Sequence, residues 1–514
     1  MKFLQIGKEN WTGHFEGSED IVWYYSSIEG LSELLDELSP SVAVSEGQKP
    51  KKFSFDAVLL TSEVDEEELE ILSDFVEAYA VFFDSSVSLK SSKSGFFRKK
   101  LPQKLLCQGT PKEKLEFIVS VSFSGQYGDK LLIGDIDISP NFTGRVNYFG
   151  NISVVFDGDF GDSMMPLFSY RYNLATDSSP IEIWQEYYKK DENCWIQIEL
   201  TPFYHGSWED MAEQIVLTEK DMKNPVALPV DNRIGGYAVT IFAKGYGKLH
   251  FGPMHRRLSR RGQGCMVLGG QRFNDAKRQE LLFYFNPGDL QPPLNVYFSG
   301  YRSAEGFEGF RMMKSMGAPF LLIADPRLEG GGFYTGSSEL EKSVEAAIRD
   351  CLNYLDFNSS QLILSGLSMG TFGALYYAST FNPSAVVVGK PFTNLGDMAT
   401  NLKIKRPNAF ETATDIVMNI VGGTDKALTD KLNQKFWNKF QKSNFSRTSF
   451  AIAFMENDDY DVNATSNLIE HLSEKNAHIY TKGYSGRHND NSPAVNKWFM
   501  QQYQNILSER FERK

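Results

Sequence analysis

Residues 361–379 read QLILSGLSMGTFGALYYAS. The run QLILS has the apolar character of a buried strand, and TFGALYYAS continues as a helix. Between them stands Gly366-Leu367-Ser368-Met369-Gly370. Chance alone puts a GxSxG in about one chain in five or six of this length, so the motif by itself is moderate evidence. Its setting sharpens it. A nucleophilic serine on a strained strand-to-helix turn needs glycines on both sides, because side chains there would collide with the neighbouring strand and helix. Gly373 adds room for close helix–sheet packing.

Strands and helices alternate around this turn. Asn295–Phe298, Pro319–Ala324, Gln361–Leu364, Ala385–Val388, Phe450–Met455 and His478–Tyr480 read as strands. Leu340, Val344, Ile348, Cys351 and Leu355 mark one helix face, with Ser338-x-x-Glu341 as its capping box. Such alternation predicts a doubly wound, mostly parallel sheet, an α/β-hydrolase-like domain over 286–514. The interval 393–446 is too long for a simple crossover and reads as an inserted cap or partner-binding segment.

A serine hydroxyl needs a base, and the base an orienting acid. The chain has seven histidines. His14, His205, His250 and His255 precede this domain, His471 sits inside a predicted helix, and His478 opens a strand. His488, in GYSGRHNDNSP after the last strand, stands where an α/β-hydrolase places its base. The acid belongs after the preceding strand, where Met455-Glu456-Asn457-Asp458-Asp459-Tyr460-Asp461 crowds four carboxylates together. Asp458 is favoured, Glu456 is the runner-up and Asp459 third. The order Ser…acid…His matches the fold. For the oxyanion hole, one backbone N–H is expected from Met369 and a second from Gly300 or Tyr301. Losing one such donor costs about 2.7–4 kcal/mol of transition-state stabilisation. The glycines 330–332 either shape the pocket or form a plain surface loop.

The first 112 residues read as a small α/β unit. KFSFDAVLL, the helical spacing of Leu69, Leu72, Val76 and Tyr79, and Val81–Phe83 suggest strand–helix–strand. From 113 to 285, EFIVSVSFSG, KLLIGDIDIS, CWIQIELTPF, YAVTIFAKG and ELLFYFNPG suggest β-sandwich material, perhaps two modules with a carbohydrate-binding look. The 514 residues carry 65 acidic and 53 basic side chains, a net charge of −12, which argues against a nucleic-acid partner. The four cysteines lie far apart with no CxxC, which suits a reducing compartment. No apolar run approaches the ~20 residues of a membrane helix, and the opening MKFLQIGKENW lacks the apolar core of a signal peptide. No metal or tightly bound cofactor motif stands out. Two basic spots, one at Arg256, Arg257, Arg260 and Arg261 and one at Phe96–Lys100, read as solvated loops; the alternative is contact with a partner or an anionic membrane surface.

Taken together, MKFLQIGKENW, GPMHRRLSRRGQG, NVYFSGYRSAEGFEGFRMM, LSGLSMGTFGALYY and FMENDDYD…GYSGRHND resemble the Asp-two family of accessory Sec system proteins over essentially the full length. The resemblance implies a cytoplasmic protein, or one peripheral at the inner face of the cell membrane, serving export of serine-rich repeat adhesins. It implies a complex with accessory Sec proteins one and three, and work alongside the accessory motor ATPase and translocase. It also implies O-acetylation of N-acetylglucosamine on the adhesin through a triad carried here by Ser368, His488 and Asp458, with Glu456 as the other acid. The acetyl donor is left open. A scaffold that binds partners and glycans without catalysis, or a carbohydrate esterase, are the alternative functions.

Overall fold

The computed structural model describes residues 1–17, 19–39, 53–89, 95–190, 193–207, 209–400 and 413–513. The described residues fall into two compact units.

One unit holds Met1–Gly125 with Ser259–Gln271 and Phe285–Gln291. Its centre is a five-stranded parallel sheet with the strand order Val22–Ser26, Lys2–Ile6, Ala57–Leu60, Val81–Phe83, Gln103–Lys104. Alternate side chains of these strands point to opposite faces, so Leu4, Val58 and Leu60 bury into one core, and Phe3, Ala57 and Leu59 into another. The segment Glu66–Leu72 is a 3-10 helix in place of the expected α-helix, and it still buries Leu69 and Leu72. EFIVSVSFSG, expected as a strand, instead lies largely in the helix Pro111–Val121. The reason lies just upstream: Thr110 and Glu113 form a capping box and Pro111 takes the first turn. Leu115, Ile118 and Val121 then share a helical face as easily as they alternate.

The basic spot at Phe96–Lys100 is a short helix with both phenylalanines buried, and Lys99 pairs with Glu70. In the other spot Arg260 is also buried, donating to the carbonyls of Val121, Phe123 and Gly125. Neither spot is the solvated loop expected from sequence.

The other unit holds Gln126–Leu258, Arg272–Tyr284 and Pro292–Lys514. In its first part the 25-residue strand Ile234–Leu258 is the spine of a ten-stranded sheet. Antiparallel partners include Ser153–Tyr170, Cys194–Tyr204 and Ile181–Lys189. Ile196, Ile198 and Leu200 face a core shared with Val239, Ile241 and Phe251.

The second part is an eight-stranded sheet: β1 (Gln271–Asn274), β2 (Glu280–Asn286), β3 (Leu294–Phe298), β4 (Phe320–Ala324), β5 (Leu362–Leu367), β6 (Ala385–Gly389), β7 (Ser449–Met455) and β8 (His478–Tyr484). They lie in the order 1-2-4-3-5-6-7-8, and β3 to β8 pair in parallel. This is the α/β-hydrolase order. ELLFYFNPG, expected with the middle region, supplies β2 of this sheet. The helix Ser338–Leu355 is capped by Ser337, one residue before the expected box. Glu341 accepts instead from Thr335 and Tyr376 and pairs with Lys435. Between β6 and β7 the described part of the insertion forms helices Leu395–Ala399, Ala413–Val421 and Lys426–Phe440; residues 401–412 lie outside the described residues.

The turn after β5 is pressed hard against β3. A Cβ on Gly370 would stand 2.0 Å from the Phe298 carbonyl oxygen, and one on Gly366 would stand 2.4 Å from the Gly370 backbone. Backbone atoms cannot yield as a side chain can. Gly370→Ala is therefore expected to lower stability by about 1–3 kcal/mol, read as a fall in the denaturant midpoint with an unchanged slope.

Candidate active site

Ser368 sits between β5 and the helix Met369–Phe381 at φ 50°, ψ −121°, a conformation that is costly for any residue with a Cβ. The surroundings hold it there. Its N–H donates to the Gly389 carbonyl at 2.8 Å, and its own carbonyl accepts from the Thr371 N–H at 2.9 Å and the Thr371 hydroxyl at 2.6 Å. The strained turn lifts the hydroxyl off the end of the sheet, where side chains from later loops reach it.

His488 comes from the loop after β8. Its Nε2 lies 2.9 Å from Ser368 Oγ, and its Nδ1 lies 2.8 Å from Asp458 Oδ2. A carboxylate accepts at Nδ1–H, so Nε2 is left as the acceptor for the serine proton. The His488 N–H donates to Asp459 Oδ1 at 3.1 Å. The ring is buried between Phe392, at 4.8 Å, and Tyr460, edge-on at 4.6 Å. Packing on both sides fixes its orientation while its two nitrogens face their partners.

The acidic turn after β7 divides its carboxylates among separate tasks. Asp458 turns Oδ2 to His488 and takes the Tyr460 N–H on Oδ1 at 2.9 Å. Glu456 points elsewhere and accepts from the Ser485 hydroxyl at 2.9 Å. Asp461 is buried and staples the start of the insertion, accepting from the backbone N–H groups of Thr393 at 2.8 Å and Asn394 at 2.7 Å. Burial pushes its carboxyl up against the pull of these hydrogen bonds.

Met369 is the first residue of its helix, so its N–H has no acceptor within that helix. Gly300, expected as a second donor, gives its N–H to Glu308 Oε2 at 2.6 Å; as folded it does not point to a substrate oxygen. Tyr301 follows on the same loop, with its ring over Gly330, where a Cβ would lie 1.7 Å from it. The glycine run 330–332 is no plain surface loop. Its residues are buried, and a Cβ on Gly331 would meet Met369 Sδ at 2.5 Å. The run is held by the fully buried Arg327, whose Nε and Nη2 bind Asp325 at 2.8 and 2.6 Å, while Nη1 takes the Thr335 carbonyl at 3.0 Å.

Sequence reasoning overlooked Lys390 and Phe392, just past β6. The Lys390 ammonium donates to the Asp490 carbonyl and the Ser492 hydroxyl, both at 2.9 Å, tying down the loop that carries His488. Burial lowers its pKa against the opposing charges of Asp458 and Asp490. Their one signal in the sequence is position: GKPF follows directly on a buried strand at the edge where the other side chains converge. Among the described residues no group of His, Cys, Asp and Glu is arranged to hold a metal ion.

This geometry can activate a serine for attack on an acyl carbon. Asp458→Asn would leave His488 with the wrong tautomer facing Ser368. Phosphonylation of Ser368 by a fluorophosphonate, with loss of fluoride, should then slow by about 10³–10⁴-fold, whereas Glu456→Gln should react at the wild-type rate.

The accessory Sec system GspB-transporter family, Asp-two, has a model that matches residues 1–513. An accessory Sec system protein Asp-two of Staphylococcus aureus is 41% identical over 518 residues, covering 100% of this chain and 98% of that protein. One from Streptococcus gordonii is 37% identical, covering 100% and 99%. Among solved structures, a chain of the Glycosylation Associate Protein (Gap123) complex from Streptococcus agalactiae matches with a TM-score of 0.91 at 38% identity, covering 100% of this chain and 99% of that one. With similarity in sequence and in backbone over its full length, this chain belongs to the Asp-two family of the accessory Sec system.

Proposed function

We propose that this chain is a serine-dependent O-acetyltransferase acting on N-acetylglucosamine of a glycosylated serine-rich repeat adhesin during its export. The observation that carries the proposal is the continuous line of contacts from Ser368 Oγ through His488 to Asp458, at 2.9 and 2.8 Å. A subunit that only binds partners has no use for a strained serine, an oriented imidazole and a carboxylate braced against that imidazole.

In the first half-reaction, Ser368 Oγ attacks the acetyl carbonyl and its proton passes to His488 Nε2. Charge on the carbonyl oxygen is met by the Met369 N–H. The donor's leaving group departs with the proton from His488, and acetyl-Ser368 remains. In the second half, a sugar hydroxyl gives its proton to His488 and attacks the acetyl carbon. The Ser368 ester bond breaks, the proton returns to Ser368, and the sugar leaves as its acetate ester. Water in place of the sugar would make the same site an esterase.

The protein acts in the cytoplasm within a complex of accessory Sec proteins one, two and three, handing its substrate to the motor ATPase and translocase. Family membership supports this placement, as does the solved relative's place in a three-named complex. Among the described residues no helix is long and apolar enough to cross a membrane.

The test is Ser368→Ala, with adhesin export, complex assembly and glycan acetylation measured separately. Acetylation is expected to disappear while the complex still assembles. Acetylation at the wild-type level in this variant would overturn the enzymatic proposal.

A further inference from the structure

The sequence GPMHRRLSRRGQG contributes nothing to the triad, yet part of it is buried beside the site. His255 and Arg257 lie two residues apart on the strand Ile234–Leu258 and so share one face. Both meet Glu305, from the loop that follows β3. Glu305 Oε1 is 2.5 Å from His255 Nδ1, and Oε2 is 2.5 Å from Arg257 Nε. The other His255 nitrogen faces Glu186 at 3.0 Å, and Arg257 Nη1 pairs with Glu280 at 2.7 Å. All five side chains are buried. Burial disfavours charge on the His255 ring, but Glu305 and Glu186, one on each ring nitrogen, raise its pKa.

The backbone of the same loop is tied down as well. The Glu305 N–H donates to the Gly128 carbonyl at 2.8 Å. The Gln126 amide grips Phe307 at both its N–H, 2.8 Å, and its carbonyl, 2.6 Å. Gly128 leaves room for this approach: a Cβ there would stand 3.0 Å from Arg257 Cγ and 3.1 Å from Glu305 Cβ.

Stability does not account for such a cluster. Burying ion pairs costs desolvation that their attraction at best repays, and apolar residues of similar volume commonly do as well. Directional charges instead select one position for what they hold, and here they hold the loop beginning Ser299-Gly300-Tyr301. That loop starts against the nucleophile turn, with the Cβ position of Gly300 3.4 Å from the Leu367 carbonyl. A displacement of about 1 Å in such a place can cost 10²-fold in rate.

We propose that Glu305, clamped by His255 and Arg257, is a positioning residue for the acyl-transfer site, fixing the loop after β3 against the nucleophile turn. The proposal rests on the acyl-transfer function proposed above. It gives the buried half of the basic motif a task in catalysis.

The test uses the full chain with Glu305→Gln, which keeps the side chain's size and removes its charge. Gln126→Ala, which loosens the same loop from outside the charged cluster, stands in should the first variant not fold. Two quantities are read: kcat and KM for p-nitrophenyl acetate hydrolysis, and amide hydrogen exchange by residue. Glu305→Gln is expected to lower kcat by about 10²-fold at unchanged KM, with faster exchange confined to residues 299–309. Wild-type kcat, or exchange that rises evenly through the molecule, would overturn the positioning role. Should wild type neither hydrolyse the ester nor react with a fluorophosphonate, the acyl-transfer proposal fails. Exchange in 299–309 then still decides the clamp: a local rise sustains it, and an unchanged loop overturns it.

Discussion

Ser368 is held in a backbone conformation that a side chain resists, and the rest of the domain makes that conformation the only one available. The constraint is steric before it is chemical. β5 and β3 are neighbours, and the helix after β5 must start within backbone contact of β3's end. Gly370 against the Phe298 carbonyl and Gly366 against Gly370 leave no space for a gentler turn. The strain is therefore not relieved locally. It is balanced by strand pairing, by the Ser368 N–H bond to Gly389 and by the burial of most of the helix that follows.

Parallel strands place all their C-terminal ends on one edge of the sheet, and this determines which parts of the chain can meet Ser368. The loops after β3, β6, β7 and β8 share that edge with the nucleophile turn. Residues almost a hundred positions apart, such as Asp458 and Ser368, become neighbours without any long excursion of the backbone. Polar contacts then secure these four loops: Glu308 with Gly300 after β3, Lys390 with Ser492 between the loops after β6 and β8, buried Asp461 with Asn394 between those after β7 and β6, and Asp458 with Tyr460 after β7. Loops at such an edge are ordinarily the mobile part of a fold. Here the polar contacts carry rigidity from the sheet to the reacting groups, which is what holding a hydrogen-bond relay at 2.9 Å requires.

How much of this could be read in the sequence depended on whether a residue's role was local. The turn at Gly366–Gly370 was legible because the steric demand falls on adjacent residues. His488 was legible because chain order and strand position leave few candidates. Among Glu456, Asp458 and Asp459, chain order cannot choose. The decision is made by how the turn after Met455 directs each side chain, and the Tyr460 N–H bound to Asp458 is part of that turn. The helix at Pro111–Val121 is not legible from apolar pattern because its apolar residues fit both periods; what decides for helix is the cap at Thr110. ELLFYFNPG was recognised as a strand but not as a member of the third sheet, since sheet membership is settled by distant partners.

The HRRLSRR stretch shows why charge composition misleads where a strand is mistaken for a loop. Four arginines among few apolar residues read as solvated. Yet the first two sit on a strand, where successive side chains face opposite ways. Arg256 reaches the partly exposed Asp129 at 2.6 Å, and Arg257, one residue on, is buried with Glu305 and Glu280. The sequence shows the charges, while their partners are scattered over Asp129, Glu186, Glu280 and Glu305, positions that no spacing rule connects. A buried cation can be inferred only with its anions, and here one of those anions is supplied by the loop beside the nucleophile. The cluster therefore joins the ten-stranded and eight-stranded sheets, and the place of the loop after β3 depends on the strand Ile234–Leu258 as well as on its own sheet.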